Sequence, residues 1–152
     1  MTETQTPDLA SMTGLEQLLA MTEGHLPPAP IAETLGMVDF GGEYGAIHVE
    51  LVPEPRHYNP IGSVHGGVIS TLLDTAAACS VHSTLAPGEG YTSLDLTVKF
   101  LRPVTVDSGR LRAVGNVIQR GRRTALAEAQ LTDSHGKLVA HATSTCMIFP
   151  AS

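Results

Sequence analysis

The hydrophobic pattern of this chain predicts an α+β domain in which an antiparallel sheet curls around a single buried helix. Three observations carry that expectation. Val68 to Leu85 is apolar around nearly the whole helical period, with Asp74 as its only formally charged residue, as in a helix covered on most sides. Stretches with two-residue alternation lie on both sides of it, two before and four after. One of these, residues 123–132, puts Ala125, Ala127, Ala129 and Leu131 on one face, small side chains that leave room for a helix to lie against the sheet.

Taken in order, residues 1–8 read as disordered, and Leu9 to Glu23 reads as a short amphipathic helix built on Met12, Leu15, Leu18 and Leu19 and ended by Gly24. Pro27-Pro28-Ala29-Pro30 reads as a stiff linker. It divides the chain into an N-terminal tail with a short helix, residues 1–30, and the domain proper, residues 31–152. Ile31–Phe40 and Gly45–Val52 are strand candidates, with Gly41-Gly42 as the hairpin turn between them. Pro53 to Tyr58 is a loop whose His57 reads as an exposed histidine without a role. After the helix, Ala86-Pro87-Gly88-Glu89-Gly90 is a stop signal. Tyr91–Leu101 alternates, with Leu94, Leu96, Val98 and Phe100 opposite Ser93, Asp95, Thr97 and Lys99. Residues 109–119 and 123–132 continue the strands. Asp133-Ser134-His135-Gly136 turns the chain, and Lys137–Phe149 closes the sheet.

Composition narrows the function classes. A chain of 152 residues with 42% hydrophobic content suits one domain with its own core, and no apolar run approaches bilayer length. A net charge of −6 argues against nucleic acid as a partner. The charge is unevenly spread: the first 55 residues hold nine acids and no Lys or Arg, whereas residues 99–137 hold eight of the nine basic residues. That local excess suits a small polyanion, since guanidinium groups match phosphate oxygens. The plainer alternative is a solvated strand face. Cys79 and Cys146 read as small core residues, and the acidic N-terminus is the reverse of a secretory leader. Together these features predict a cytoplasmic protein without a membrane partner.

Asp74 is the chemical clue. A carboxylate within an apolar helix is costly unless it is paired or used. Thr71 and Thr75 are possible structural partners. Upstream, His65-Gly66-Gly67 stands where a loop becomes the helix, and its first N–H groups, without intrahelical acceptors and at the positive end of the dipole, suit a developing oxyanion. Asp74 lies about two turns on, roughly 10 Å along the axis. One chain does not readily bring donor and base onto one substrate; a second copy packed antiparallel does.

Asn59, His65-Gly66-Gly67 and Asp74 at their spacings, Leu94 through Pro103, Gly121-Arg122-Arg123, and Asp133 through Ala140 together resemble the hotdog-fold acyl-CoA thioesterases of the PaaI-like (phenylacetyl-CoA thioesterase) branch, over about residues 30–149. The resemblance implies a dimer with continuous sheet, often paired into a tetramer, that hydrolyses an acyl- or aryl-CoA without metal or added cofactor. It implies that the Gly66 N–H polarises the thioester carbonyl and His65 assists. Asp74 of the partner acts as general base or nucleophile, Asn59 holds the water or leaving group, and Ser93 helps to place the water. Gly67, Arg102 and the Gly121-Arg122-Arg123 turn would meet coenzyme A. The chain departs from some relatives at Ala78, where a Thr would aid the acid. Two other readings are a non-catalytic acyl-CoA-binding hotdog protein and a hotdog hydratase or dehydratase, although the latter's H-F-P-G type stretch is missing.

Overall fold

The structure, a computed structural model, describes residues 7–151. Most of the disordered segment expected at residues 1–8 therefore lies outside the described residues; Asp8, which is described, caps a short 3₁₀ turn at Leu9–Ser11. Helix α1 (Gly14–Thr22) opens with a capping box between Thr13 and Glu16, which satisfies two otherwise unpaired backbone donors. Helix α2 (Pro30–Leu35) follows, then β1 (Met37–Glu43), β2 (Ala46–Leu51), α3 (Gly66–His82), β3 (Glu89–Ser93), β4 (Thr97–Phe100), β5 (Leu111–Arg120), β6 (Thr124–Thr132) and β7 (Leu138–Pro150). The strands form one antiparallel sheet in the order β1-β2-β5-β6-β7-β3, with β4 also paired to β7.

Helix α3 lies against the inner face of this sheet, as the pattern predicts. Ile69, Leu72, Leu73, Ala76, Ala77 and Val81 are buried on it, and Ala113, Ala125, Ala127, Ala129 and Ala142 meet it from the sheet. At Gly115 the approach is closest: a Cβ there would stand 2.1 Å from the Ala76 carbonyl oxygen. Two helix hydroxyls fasten α3 to the start of β2. The Ile47 N–H donates to Ser80 Oγ (3.0 Å) and the Gly45 N–H to Ser83 Oγ (2.7 Å).

Five expectations need correction. Residues 30–35 are helical rather than extended, because Pro30 takes the first helical position, where its missing N–H is no loss, and Gly36 ends the turn at φ 76°. The hairpin turns at Tyr44-Gly45, not at Gly41-Gly42: β1 runs through both glycines, Glu43 pairs with Ala46, and Gly45 has φ 76°. Tyr91–Leu101 is two strands. Between them the Asp95 carboxylate accepts from the Thr145 N–H (2.8 Å) and the Ser144 hydroxyl donates to the Asp95 carbonyl (2.9 Å), which replaces the ladder. Finally, Pro27–Pro30 does not lead from a free helix into the domain. The Gly14 N–H donates to the Leu85 carbonyl (2.9 Å), Leu18 is buried, and α1 packs on α3 and β1. His57 is likewise not exposed: its Nδ1 accepts from the Glu54 N–H (3.0 Å), so Nε2 donates to the Leu35 carbonyl (2.7 Å).

Candidate active site

The two ends of the expected chemistry occupy two separate places in the chain. At the start of α3, His65 is the N-cap, and its Nδ1 accepts from the Gly67 N–H at 2.8 Å. The Val68 and Ile69 N–H groups both reach the His65 carbonyl. Of this first turn, the Gly66 N–H alone has no acceptor among the described residues. Gly66 shares a groove with Asn59, Ser63, Phe100 and Arg102. A side chain at 66 would crowd that groove, since its Cβ would lie 3.0 Å from the Phe100 ring.

Asn59 ties the loop that delivers His65. Its Oδ1 accepts from the Ile61 and Ser63 N–H groups (both 3.1 Å), and its Nδ2 donates to Ser63 Oγ (3.0 Å). One Nδ2 hydrogen remains for anything beyond the loop.

Asp74 stands elsewhere, beside a partly enclosed cavity of about 360 Å³. Its Oδ1 is the one buried side-chain polar atom among the described residues with no hydrogen-bond partner. The structural alternative for this acid fails: the Thr71 hydroxyl donates to the Gly67 carbonyl and the Thr75 hydroxyl to the Thr71 carbonyl. Burial raises the carboxyl above its ordinary range, and the Ser93 hydroxyl partly offsets this by favouring the ionised form. Ser93 is the last residue of β3, with its Oγ 3.9 Å from Cys146 Sγ, while Ala78 adds only a methyl group to the cavity wall. Cys79 also lines the cavity, but burial pushes its thiol up to about 12, which removes it as a nucleophile at neutral pH.

The expected phosphate-binding groups are divided as well. Arg102 lines the Gly66 groove, whereas Arg122 and Arg123, after Gly121, line a depression with Pro87, Phe149 and Pro150. None of these three arginines makes an ion pair among the described residues. Arg110 and Arg112 instead clamp Glu50 (2.9 and 3.0 Å), and Arg120 binds Glu89 (2.7 Å). The basic half of the sequence is thus partly structural and partly free. No group of three or more His, Cys, Asp or Glu side chains among the described residues is gathered closely enough to hold a metal ion, and no described helix is long and apolar enough to cross a membrane.

What the sequence reading missed is the cavity wall. Met21, Thr22, Pro28 and Ile31 line the chamber beside Asp74, and all lie in the segment read as tail and linker or at its junction with the domain. The apolar face of α1 was the available signal; its destination was not readable.

Comparison with known proteins agrees with this geometry. A phenylacetic acid degradation-related protein from Ralstonia eutropha JMP134 superposes with a TM-score of 0.77 at 34% identity, over 86% of this chain and 98% of that one. The E. coli PaaI protein of the phenylacetic acid degradation operon has the same fold, with a TM-score of 0.78 at 23% identity over 95% and 99% of the two chains. In sequence, mouse acyl-coenzyme A thioesterase 13 is 27% identical over 97 residues, 63% of this chain and 68% of the mouse protein. The family description "Thioesterase superfamily" matches residues 61–140, a span that holds the Gly66 turn, the acid and strands β3 to β6. This chain belongs to the thioesterase superfamily and, as a member of it, is a thioester hydrolase.

Proposed function

We propose that the protein is an acyl-CoA thioesterase that works as a dimer, each site using Gly66 of one protomer and Asp74 of the other. The observation that carries this reading is the pairing of two orphans, a helix-start N–H without an acceptor and a buried carboxylate oxygen without a donor, in separate depressions of one chain. A two-fold arrangement would put one opposite the other. Two surface features support self-association. The outer edge of β3 and β4 has no partner strand among the described residues, and Ile61, Leu94, Phe100 and Leu101 are exposed around the groove and this edge, Ile61 at 88%. The name of the mouse relative, acyl-coenzyme A thioesterase 13, supports coenzyme A thioesters as the substrate class, and Arg102, Arg122 and Arg123 are available for the phosphates.

In the reaction, the Gly66 N–H donates to the thioester carbonyl oxygen. Asp74 takes a proton from water as the water oxygen bonds to the carbonyl carbon, and the carbonyl electron pair moves onto the oxygen. Collapse of that intermediate breaks the C–S bond, and the proton on Asp74 goes to the departing thiolate. Ser93 offsets part of the burial that disfavours the ionised acid, and His65 shapes the helix start by binding the Gly67 N–H. The reading uses no metal and places the enzyme in the cytoplasm. Steady-state release of free thiol from a panel of acyl-CoA esters, with Asp74→Ala as control, tests it. Turnover that depends on Asp74 is expected; tight binding without turnover would instead support a sensor.

A further inference from the structure

The chamber beside Asp74 has a wall that the rest of the catalytic account does not use. Met21, Pro28 and Ile31 close it on one side, Met37 and Phe40 of β1 on another, and Tyr91 on a third. Helix α1, which carries Met21, is fixed in place. Gly14 presses so closely on the end of α3 that a Cβ there would stand 1.7 Å from the His82 carbonyl oxygen. Gln17 Oε1 lies 2.8 Å from His82 Nε2, and the His82 ring meets Tyr91 edge-on at 5.2 Å. A continuous set of contacts therefore runs from α1 through α3 to the chamber. Its ionisable lining, apart from the high-pKa groups Cys79 and Tyr91, consists of Asp74 and Asp39, with no Lys, Arg or His among the described residues; His48, outside the lining, has its Nε2 3.3 Å from Asp39 Oδ2.

We propose that the segment from Met21 to Ile31 forms the wall of the acyl-group pocket and selects neutral, apolar acyl or aryl groups against those that end in a second carboxylate. A neutral hydrocarbon or ring displaces water from the apolar wall. A terminal carboxylate would be desolvated there without a counter-charge and would face two acids. This inference rests on the thioesterase reading and adds the acyl class and the residues that set it.

The test measures kcat/KM of the full-length protein on propionyl-, octanoyl-, dodecanoyl-, phenylacetyl- and succinyl-CoA, for wild type, Ile31→Trp and Ile31→Ala. Octanoyl- or phenylacetyl-CoA should exceed succinyl-CoA by about 100-fold in the wild type. Ile31→Trp fills the chamber and should lower the octanoyl-to-propionyl ratio by about tenfold, and Ile31→Ala should raise the dodecanoyl-to-octanoyl ratio by about threefold or more. Because both readouts are ratios, partial loss of folded protein does not move them, and Ile31→Ala carries the test if the Trp variant does not fold. Turnover with both ratios within about twofold of wild type, or with succinyl-CoA used as well as octanoyl-CoA, overturns this inference alone. No turnover of any ester overturns the thioesterase reading and this inference with it.

Discussion

The two halves of α3 differ in what they leave unpaired. Its first turn holds a free donor at Gly66 on a surface groove, and its middle holds a free acceptor at Asp74 beside a cavity. The donor by itself is ordinary, since every helix start has N–H groups without intrahelical acceptors. A buried, unpartnered carboxylate oxygen is not ordinary, because it costs about 1–3 kcal/mol. The comparison teaches that the acid is the informative residue and that the helix start gains meaning only when set against it.

Breaking the acceptor side should have the largest effect. Asp74→Asn should lower kcat by about 10³-fold on any ester that the wild type hydrolyses. The same change should stabilise the fold at neutral pH. The folded pKa of Asp74 is raised, so its ionisation penalty is absent below the unfolded value near 3.8, appears as pH rises through the folded value, and persists above it. Scanning calorimetry at pH 7 should show a Tm higher by about 2 °C, with the gain vanishing in acid. A Tm that falls at pH 7 would mean that Asp74 is a structural acid.

Breaking the donor side comes next. Gly66 is the first helical residue and His65 before it sits at φ −60°, ψ 136°, a backbone that proline and its predecessor both accept. Gly66→Pro therefore deletes the N–H with little cost to the helix, and kcat should fall by about 10²-fold. Gly66→Ala keeps the N–H and only displaces the Phe100 ring, so its loss should stay within about tenfold, measured in the same assay.

Smaller effects sharpen the contrast. Ser93→Ala removes the hydroxyl that favours ionised Asp74, so the acid limb of the kcat/KM profile should move to higher pH, with about a threefold loss at neutral pH. Gly14→Ala should act on stability first: a Cβ 1.7 Å from the His82 carbonyl oxygen forces α1 away from α3, at about 1–3 kcal/mol, read as a lower denaturation midpoint in urea.

Much of this was legible in the sequence, and what was not has physical causes. The apolar run of α3, its acid and the small residues facing it follow from periodicity, which reports burial directly. The break between β3 and β4 does not, because it is made by Asp95 with Ser144 and Thr145, about fifty residues away. Residues 31–35 read as strand because Ile31 suits either state, and Pro30, which starts the helix, reads as part of a linker. In the site, Asp74 and Gly66 stood out from composition and position. The effect of Ser93 on the acid's titration depended on strand register, and the roles of Met21 and Ile31 depended on where α1 and α2 dock, which an apolar helix face does not announce.

The central claim is that each site takes its donor and its acid from different protomers. The direct measurement is the activity of a purified mixed dimer, one protomer carrying Asp74→Asn and the other Gly66→Pro, with a different tag on each. If the site is shared, one of its two sites is intact and the mixed dimer should regain about half of wild-type activity, although each parent dimer is nearly inactive. Activity no greater than that of the parents would contradict it.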